Sequence, residues 1–493
     1  MTPTPRYPSL LQINTRVWLT ALARAIGRPA TLDDIPDADL DRIGSYGFDW
    51  IWLLSVWQTG PAGTRVSRSH PEWRKEFQHT LPDLCDEDVA GSGFAIAGYH
   101  VLEGFGGDAA LARLRTRLRD RGLRLMLDFV PNHTALDHPW VEEHPDYYVD
   151  GTDADAWREP QNYVRLESWR GSRVFAYGRD PYFAGWPDTL QLDYSNPETA
   201  RAMAGELLRI AGQCDGVRCD MAMLLLPDVF ERTWHRRPEP FWSRVIPRVR
   251  NASPAFRFMA EVYWDLEWTL QQEGFDYAYD KRLYDRLREG HARPVREHFH
   301  AGLDYQDRLA RFLENHDEPR AAAVFAPDVH EAAAVLTFLS PGLRFFHDGQ
   351  FDGRRARISP HLVRAPIEPR DARLARFYDR LLRVLRRSDV RNGRWTLLDC
   401  TPAWEGNPTS DGFIAFAWQA DEADRLIVAV NFAPTQGQCY VRLPFDGAGA
   451  TLRFDDLLSD AVYDRDGRDI ASRGLYLDLP PWGYHAFALV KNQ

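Results

Sequence analysis

Short apolar runs alternate with longer amphipathic segments over most of the chain, and this alternation constrains the fold more than any other feature. It is typical of strand and helix units repeated around a parallel sheet. In residues 109–121, for example, leucines recur at helical spacing while arginines take the opposite face. The runs that we predict as strands are residues 15–19, 50–55, 123–130, 216–220, 256–261, 275–279, 310–313 and 343–346.

Eight such strands predict an α/β fold in which a (β/α)8 TIM barrel, typically of about 250 residues, carries insertions. Residues 133–196 lack periodicity and are rich in proline, glycine, aspartate and aromatics, which indicates an inserted domain after the third strand. Beyond residue 387 the hydrophobic period becomes two, which indicates an antiparallel β-sandwich. The alternative to the barrel is a doubly wound sheet. The predicted domains are the barrel in 1–132 and 197–387, the insertion in 133–196 and the C-terminal domain in 388–493.

Composition excludes several classes of protein and partner. The 493 residues are 44% hydrophobic, which is ample for large cores. A formal net charge of −11 argues against nucleic acid and anionic membranes as partners. The five cysteines lack the spacing of a zinc site or a disulfide framework, and the sequence contains neither a signal-peptide pattern nor a long apolar run. We therefore expect a soluble, cytoplasmic protein that acts on a neutral or small partner.

Acidic residues stand at the C-terminal ends of several predicted strands, which is the end where β/α barrels build active sites. Asp128, Asp220 and Glu261 each follow an apolar run directly, and Asp317 follows the predicted seventh strand. One such acid alone is more often a helix N-cap or a solvated loop residue. Four of them predict a cluster of carboxylates in the barrel mouth, where like charges raise one another's pKa and a cation lowers it.

Two of these acids have neighbours that favour opposite protonation states. Arg218 and Asp220 are two residues apart on a strand, so both side chains point to one face and the guanidinium can keep Asp220 ionised. Apolar and aromatic residues flank Glu261, and such surroundings favour the neutral acid. A nucleophile beside a proton donor is the arrangement of a retaining glycosidase. The alternative for Arg218 and Asp220 is an ordinary internal salt bridge.

Four short motifs resemble, in order and approximate spacing, the signature regions of the α-amylase superfamily, glycoside hydrolase family 13. They are Asp128-Phe-Val-Pro-Asn132-His133, Gly216-Val-Arg218-Cys-Asp220, Glu261-Val-Tyr263 and Asn315-His316-Asp317. Residues 133–196 and the C-terminal β region resemble that family's domains B and C. The resemblance implies a retaining hydrolase or transglycosylase of α-glucosides or α-glucans that works by double displacement, in the branch acting on short α-glucosides or as a glucanotransferase.

The resemblance also implies individual roles. Asp220 resembles the nucleophile, Glu261 the general acid and base, and Asp317 a residue that binds sugar hydroxyls. Arg218, His133 and His316 would contact the sugar, and Asp128 would brace that site. Phe94 or Tyr99 would stack on the sugar, and Arg320 would line the pocket. Helix capping is an equal alternative for Arg320. Aromatics that could stack on sugars or form the core of the insertion are Trp140, Tyr147, Tyr148, Trp157, Tyr163, Trp169, Tyr182, Phe183 and Trp186.

Metal binding is not expected. Calcium-dependent members of the family hold a metal ion between domain B and the barrel, and Asn132 matches one of its ligands. The other matching positions are Gln191 and Leu224, so we expect neither tightly bound calcium nor another cofactor. A metal site at His133 and His316 lacks a third ligand. The competing functions are a non-catalytic carbohydrate-binding relative and an unrelated metal-dependent hydrolase, but all three implied catalytic carboxylates are present. Water and a sugar both stay open as the acceptor.

Overall fold

The computed structural model describes residues 5–168, 171–420, 425–444 and 451–491, so Trp169 lies outside the described residues. Up to residue 129 the elements are β1 (Ser9–Asn14), α1 (Thr15–Ile26), α2 (Asp37–Ser45), β2 (Trp50–Leu54), β3 (Trp57–Thr59), α3 (Pro61–Ser69), α4 (Pro71–Thr80), β4 (Ile96–Val101), α5 (Gly107–Arg119) and β5 (Arg124–Phe129). Among the described helices of the chain, none combines the length and apolar character that a membrane span requires.

An insertion follows β5. Its elements are β6 (His133–Ala135), α6 (Trp140–Glu143), β7 (Asp150–Gly151), α7 (Asp153–Arg158), β8 (Tyr163–Ser168), β9 (Gly171–Ala176) and β10 (Thr189–Gln191). Strands β7, β9 and β8 form one small antiparallel sheet, and β10 pairs with β6 in another. The β6–β10 pair places the end of the insertion beside its beginning, at the mouth of the barrel.

The chain then returns to alternating helices and strands. These are α8 (Pro197–Gln213), β11 (Gly216–Cys219), α9 (Pro227–Trp234), α10 (Trp242–Ala252), β12 (Arg257–Ala260), α11 (Glu267–Glu273), β13 (Tyr277–Tyr279), α12 (Lys281–Glu289), α13 (Ala292–His298), α14 (Leu303–Gln306), β14 (Leu309–Arg311), α15 (Ala321–Val324), α16 (Pro327–Phe338), β15 (Leu343–His347), α17 (Ala372–Leu385) and α18 (Ser388–Asn392).

Eight parallel strands close into a barrel, in the order β1, β2, β5, β11, β12, β13, β14 and β15, with β15 pairing back to β1. This confirms the predicted (β/α)8 fold, and β5 is the third barrel strand, as predicted. Every residue of β2 and β15 is buried, as expected for strands covered on both faces.

The predicted strand at residues 15–19 is wrong, because these residues begin α1 and the first barrel strand precedes them. The Asn14 side chain accepts a hydrogen bond from the Val17 backbone N–H and caps the helix. The β-branched and aromatic residues of this segment favour a strand, but the cap and the packing of α1 against the barrel outweigh that preference.

The C-terminal region is antiparallel, which confirms the predicted sandwich. Its elements are β16 (Arg394–Leu398), β17 (Cys400–Pro402), β18 (Phe413–Gln419), β19 (Arg425–Asn431), β20 (Gly437–Val441), β21 (Thr451–Asp456), β22 (Val462–Asp466), α19 (Gly467–Arg473), β23 (Leu475–Leu479) and β24 (Tyr484–Lys491). A six-stranded and a three-stranded sheet enclose a core of their own. The other face of β18 and β19 packs on the barrel, where the Trp418 indole N–H donates to the Leu339 carbonyl. The domain boundaries stay predictions.

Candidate active site

The register of three neighbouring strands brings the predicted acids together. Arg218 on β11 is level with Asp128 on β5 and with Met259 on β12. Asp220 and Glu261 are the first residues beyond β11 and β12, and the Glu261 N–H donates to the Cys219 carbonyl. Both carboxyl groups are therefore held at the C-terminal rim of the barrel by continuous backbone hydrogen bonding.

Arg218 contacts both of these carboxylates. Its Nη1 lies 2.5 Å from Asp220 Oδ1, and its Nη2 lies 2.7 Å from Glu261 Oε2. The guanidinium is fully buried and sits among three rings, with centroids 5.2 Å (Phe94), 5.3 Å (Trp52) and 5.8 Å (Tyr279) from its central carbon. The sequence predicts the contact with Asp220. It does not predict the contact with Glu261, which depends on the register between two strands.

Arg218 is one cation facing several buried carboxyl groups, so it cannot balance all of their charges and one carboxyl keeps its proton. Burial raises the pKa of Glu261 to about 7, although Arg218 lowers it and the charges on Asp220 and Asp317 raise it further. Burial also raises the pKa of Asp220, against the effect of Arg218. The expected apolar surroundings of Glu261 are thus only part of its environment, and burial accounts for most of its affinity for a proton.

The Glu261 carboxyl is also fixed by hydrogen bonds. Its Oε2 accepts from the Met221 N–H at 2.7 Å, and its Oε1 accepts from the Tyr263 hydroxyl at 3.0 Å. Met221 has a φ of +44°, which a side chain other than glycine rarely adopts. This strained backbone turns the N–H directly after Asp220 towards Glu261, as is common at functional sites.

Asp317 is paired with His316. The His316 Nε2 lies 3.1 Å from Asp317 Oδ2, and the Gln12 amide lies 2.8 Å from His316 Nδ1. Because the amide nitrogen can only donate, Nδ1 accepts and the ring proton sits on Nε2, which makes no hydrogen bond within the described residues in spite of its short distance from Asp317. Burial lowers the pKa of His316 well below its usual range, so the ring is neutral. Sequence reasoning missed Gln12 because it placed the first strand at residues 15–19.

A cavity of about 300 Å³ lies over these groups. Of the predicted site residues, it is lined by Asp220, Glu261, Asp317, His133, His316 and Phe94. Gly93 lets the Phe94 segment approach the barrel closely, since a Cβ at Gly93 would lie 1.9 Å from Ser55 Oγ. The structure therefore brings six separately predicted residues, from five parts of the chain, to one cavity.

Four predicted residues do not line the cavity. Arg218 and Asp128 lie beneath it, with Asp128 Oδ1 3.8 Å from Arg218 Nη1, so the sugar contact of Arg218 and the bracing role of Asp128 stay predictions. Tyr99 is buried, and its hydroxyl exchanges hydrogen bonds with the Val130 backbone. Arg320 is also buried; its Nη1 lies 2.9 Å from Glu314 Oε1. These positions argue against the predicted sugar contacts of Tyr99 and Arg320.

Arg320 also differs from its predicted alternative. It occupies the N-cap position of α15, but its side chain makes no capping hydrogen bond. The guanidinium donates to the Asp348 carbonyl at 2.7 Å and contacts His347 Nδ1 at 2.6 Å. Its observed role is to tie the ends of β14 and β15 together.

Several cavity residues were missed because no strand-end pattern marks them. They lie in the connections that follow barrel strands, and they are Trp73, Ser92, Asp188, Thr189, Met221, Pro360 and His361. Trp186, one of the nine aromatics predicted for sugar stacking or the core of the insertion, also lines the cavity, with its ring 5.1 Å from that of His133.

The residues at the family's calcium position do not fit a metal ion. The Gln191 amide nitrogen donates to the Asn132 carbonyl, to Asn132 Oδ1 and to the Leu192 carbonyl, at 3.0, 3.0 and 3.1 Å. Amide protons therefore face the oxygens that a hard cation would need as ligands. Leu224 is apolar and buried. Within the described ranges, no group of three His, Cys, Asp or Glu side chains is arranged to hold a metal.

The family model "Alpha amylase, catalytic domain" matches residues 38–356. The chain is 25% identical over 327 residues to alpha-amylase MalA of Haloarcula japonica, covering 64% of this chain and 41% of that protein. It is 24% identical over 323 residues to probable oligo-1,6-glucosidase 3 of Bacillus subtilis, covering 54% and 56%. The chain thus spans about half the length of these curated relatives.

Solved structures of low sequence identity share the fold. The noncanonic maltogenic alpha-amylase AmyB of Thermotoga neapolitana has a TM-score of 0.69 at 17% identity, covering 98% of this chain and 99% of that one. The alpha-amylase of Geobacillus thermoleovorans has a TM-score of 0.67 at 19% identity and covers both chains fully. With the matched family model extending over well more than half of the sequence, this chain belongs to the α-amylase superfamily, glycoside hydrolase family 13.

Proposed function

We propose that this protein is a retaining enzyme that cleaves α-linked glucosides or α-glucans, or transfers their glucosyl units, by double displacement. The observation that carries the proposal is the single guanidinium of Arg218 in contact with both Asp220 and Glu261, beneath a cavity that Asp317 also lines. A shared guanidinium favours the short carboxyl separation of about 5–5.5 Å that retaining glycosidases use over the wider separation of inverting ones.

The two carboxyls are suited to different steps. Arg218 stabilises the Asp220 carboxylate, which attacks the anomeric carbon as Glu261 protonates the departing oxygen. The bond from that carbon to the leaving group breaks, and the glycosyl group is carried on Asp220. Glu261, now ionised, then takes a proton from water or from a sugar hydroxyl, whose oxygen displaces Asp220. Two inversions retain the α configuration.

The remaining cavity groups supply hydrogen bonds to the sugar. His133 and His316 are kept neutral by burial, which lowers the pKa of His133 to about 3. A neutral imidazole can donate to a sugar oxygen without adding positive charge beside Glu261. Asp317 faces the cavity next to His316 and can accept from hydroxyls, and charge-assisted hydrogen bonds of this kind are the stronger ones.

The acceptor can be water or a sugar. A depression of about 600 Å³ adjoins the cavity and shares Met221 and Tyr263 with it, which offers space for a second sugar unit. The similar proteins bear names of both kinds, such as alpha-amylase and alpha-1,4-glucan:maltose-1-phosphate maltosyltransferase. The similarity to these proteins supports action on α-glucans, and the neutral cavity groups suit an uncharged sugar.

A product assay tests the proposal. Maltose, longer maltooligosaccharides, sucrose, trehalose and isomaltose are incubated with the protein, and products are followed by chromatography and by NMR that resolves the anomers. We expect glucosyl release or transfer from at least one substrate, with the α-anomer formed first. Initial release of the β-anomer would refute double displacement. Inactivity of the wild type on every α-glucoside and α-glucan would refute the enzymatic proposal.

A further inference from the structure

The cavity has two distinguishable flanks. Met221 and Tyr263 both donate to the Glu261 carboxyl, and both also line the adjoining depression. Because the general acid protonates the leaving-group oxygen, the departing or accepting sugar belongs on this flank. Asp188 lines the cavity and is not among the described residues that line the depression. A residue that lines only the cavity is available to the glycosyl unit that the cavity would hold.

One carboxyl oxygen of Asp188 has no hydrogen-bond partner within the described residues. The residue is 3% exposed, and the oxygen is Oδ2. Burial raises its pKa to about 7. A buried polar atom without a partner costs free energy, so an unpartnered carboxyl oxygen in a cavity is expected to serve a ligand. A metal ion is disfavoured because the described residues provide no three-ligand group.

Helix α3 positions Asp188 next to a second acceptor. A Cβ at Gly63 of α3 would lie 3.8 Å from the Asp188 Cβ, so the helix backbone packs against this side chain. One turn later, Ser67 Oγ lies 2.8 Å from His361 Nδ1. His361, another cavity residue, packs against the Trp73 ring at 4.7 Å. The same face of α3 thus holds Asp188 and His361 side by side.

The hydrogen bonds of Ser67 fix the tautomer of His361. The Ser67 hydroxyl donates its one proton to the Gly63 carbonyl at 2.9 Å, so His361 Nδ1 must carry the proton in its bond to Ser67 Oγ. Burial lowers the pKa of His361 to about 3, and the ring is neutral. Its Nε2 is therefore a lone-pair acceptor. Two acceptors on this flank match a ligand rich in hydroxyl donors.

We propose that Asp188 binds the transferred glycosyl residue by accepting a hydrogen bond from one of its hydroxyls, with His361 accepting from another. This inference rests on the proposed function and specifies which side of the cavity recognises the glycosyl unit. Asp188 is a substrate-binding residue rather than a proton donor, because the acid position is already filled by Glu261.

The test compares Asp188→Asn with Asp155→Asn, a control in the same insertion whose carboxylate caps α7 through Thr152 and pairs with Arg158, outside the cavity. On maltose, kcat/KM of Asp188→Asn should fall by about 10-fold, as expected when a charged acceptor is replaced by a neutral one, while the control is unchanged. The Tm of Asp188→Asn should stay equal to or exceed that of the wild type, because Oδ2 has no protein partner to lose. A structural role would instead lower Tm.

Deoxy analogues identify the hydroxyl. In the wild type, one of the 3-, 4- and 6-deoxy derivatives of the transferred glucosyl unit should react more slowly than the parent, and this penalty should shrink in Asp188→Asn, whose uncharged amide oxygen is a weaker acceptor. An Asp188→Asn variant with wild-type kcat/KM, or with all deoxy penalties intact, would overturn the inference while the enzymatic proposal stands. If the wild type turns over no substrate, calorimetric titration with maltose still tests the inference about Asp188. Equal maltose affinity of the wild type and Asp188→Asn, or no binding to either, would overturn it.

Discussion

Replacing Arg218 by methionine should make stability depend more steeply on pH. The change removes a buried cation that contacts Asp220 and Glu261 and lies 3.8 Å from Asp128. A cation at such distances lowers a carboxyl pKa by about 1–3 pH units, so its loss should raise the pKa of Asp220 and Glu261 by about that amount. For Glu261, this is a rise above the present value of about 7.

The sign of the effect follows from proton binding. A carboxyl whose pKa is higher in the folded than in the unfolded protein binds more protons when folded, so its contribution to stability falls as pH rises through that interval. Each pH unit of additional pKa rise corresponds to about 1.4 kcal/mol. Because pH 8.5 is about 1.5 pH units above the present pKa of Glu261, the deficit of Arg218→Met relative to wild type should grow between pH 5 and pH 8.5 by about 1–2 kcal/mol from Glu261. Asp220 should add to this growth in the same direction, as measured by urea unfolding.

Arg311→Met is the matched control. Arg311 is equally buried in the barrel, and its Nε lies 3.0 Å from Asp280 Oδ2, outside the cavity. His298 and Arg311 lower the pKa of Asp280 to about 2 in spite of burial. Removing Arg311 should cost stability by a similar amount at pH 5 and at pH 8.5, because Asp280 stays ionised over this range. A deficit of Arg218→Met that is equally flat would refute the electrostatic account of the site.

Three further changes separate the roles assigned above. Glu261→Gln should lower kcat on maltose by about 10²–10⁴-fold and remove the alkaline limb that we expect near pH 7, because an amide cannot donate the proton; an unchanged pH profile would contradict this. Tyr99→Phe should leave KM unchanged and lower the free energy of unfolding by about 1 kcal/mol, because among the described residues the hydroxyl of Tyr99 bonds the Val130 backbone. A raised KM would instead support the predicted contact between Tyr99 and the sugar. Chelation by EDTA should leave Tm unchanged, and a loss of Tm would reveal a metal. Gln191→Leu should lower Tm, because it leaves Asn132 Oδ1 without its hydrogen-bond donor.

The barrel was predictable because its strands are buried on both faces. In the sequence they stand out as short apolar runs that alternate regularly with amphipathic helical segments. Seven of the eight predicted strands overlap barrel strands of the structure. The first does not, because a β-branched and aromatic segment beginning at Thr15 forms a helix once Asn14 caps it. Capping and tertiary packing decided that segment, and local propensity could not reveal either.

The site was predictable where it depends on strand ends and unpredictable where it depends on connections. Asp220 and Glu261 follow strands directly, so their convergence follows from barrel geometry. Asp188 lies in the insertion and His361 lies in the segment after β15. Helix α3 contacts both side chains and so places them near each other. No spacing in the sequence encodes that relation, because it arises from packing between segments that are distant along the chain.

Trapping the covalent intermediate tests the central claim most directly. Glu261→Gln is incubated with α-glucosyl fluoride, whose leaving group departs without an acid while the missing base slows the second step. Peptide mapping by mass spectrometry should then find one added glucosyl group on the peptide that contains Asp220. The double-displacement account would be contradicted by a glucosyl group on another residue, or by continued release of glucose with no labelled enzyme at any time.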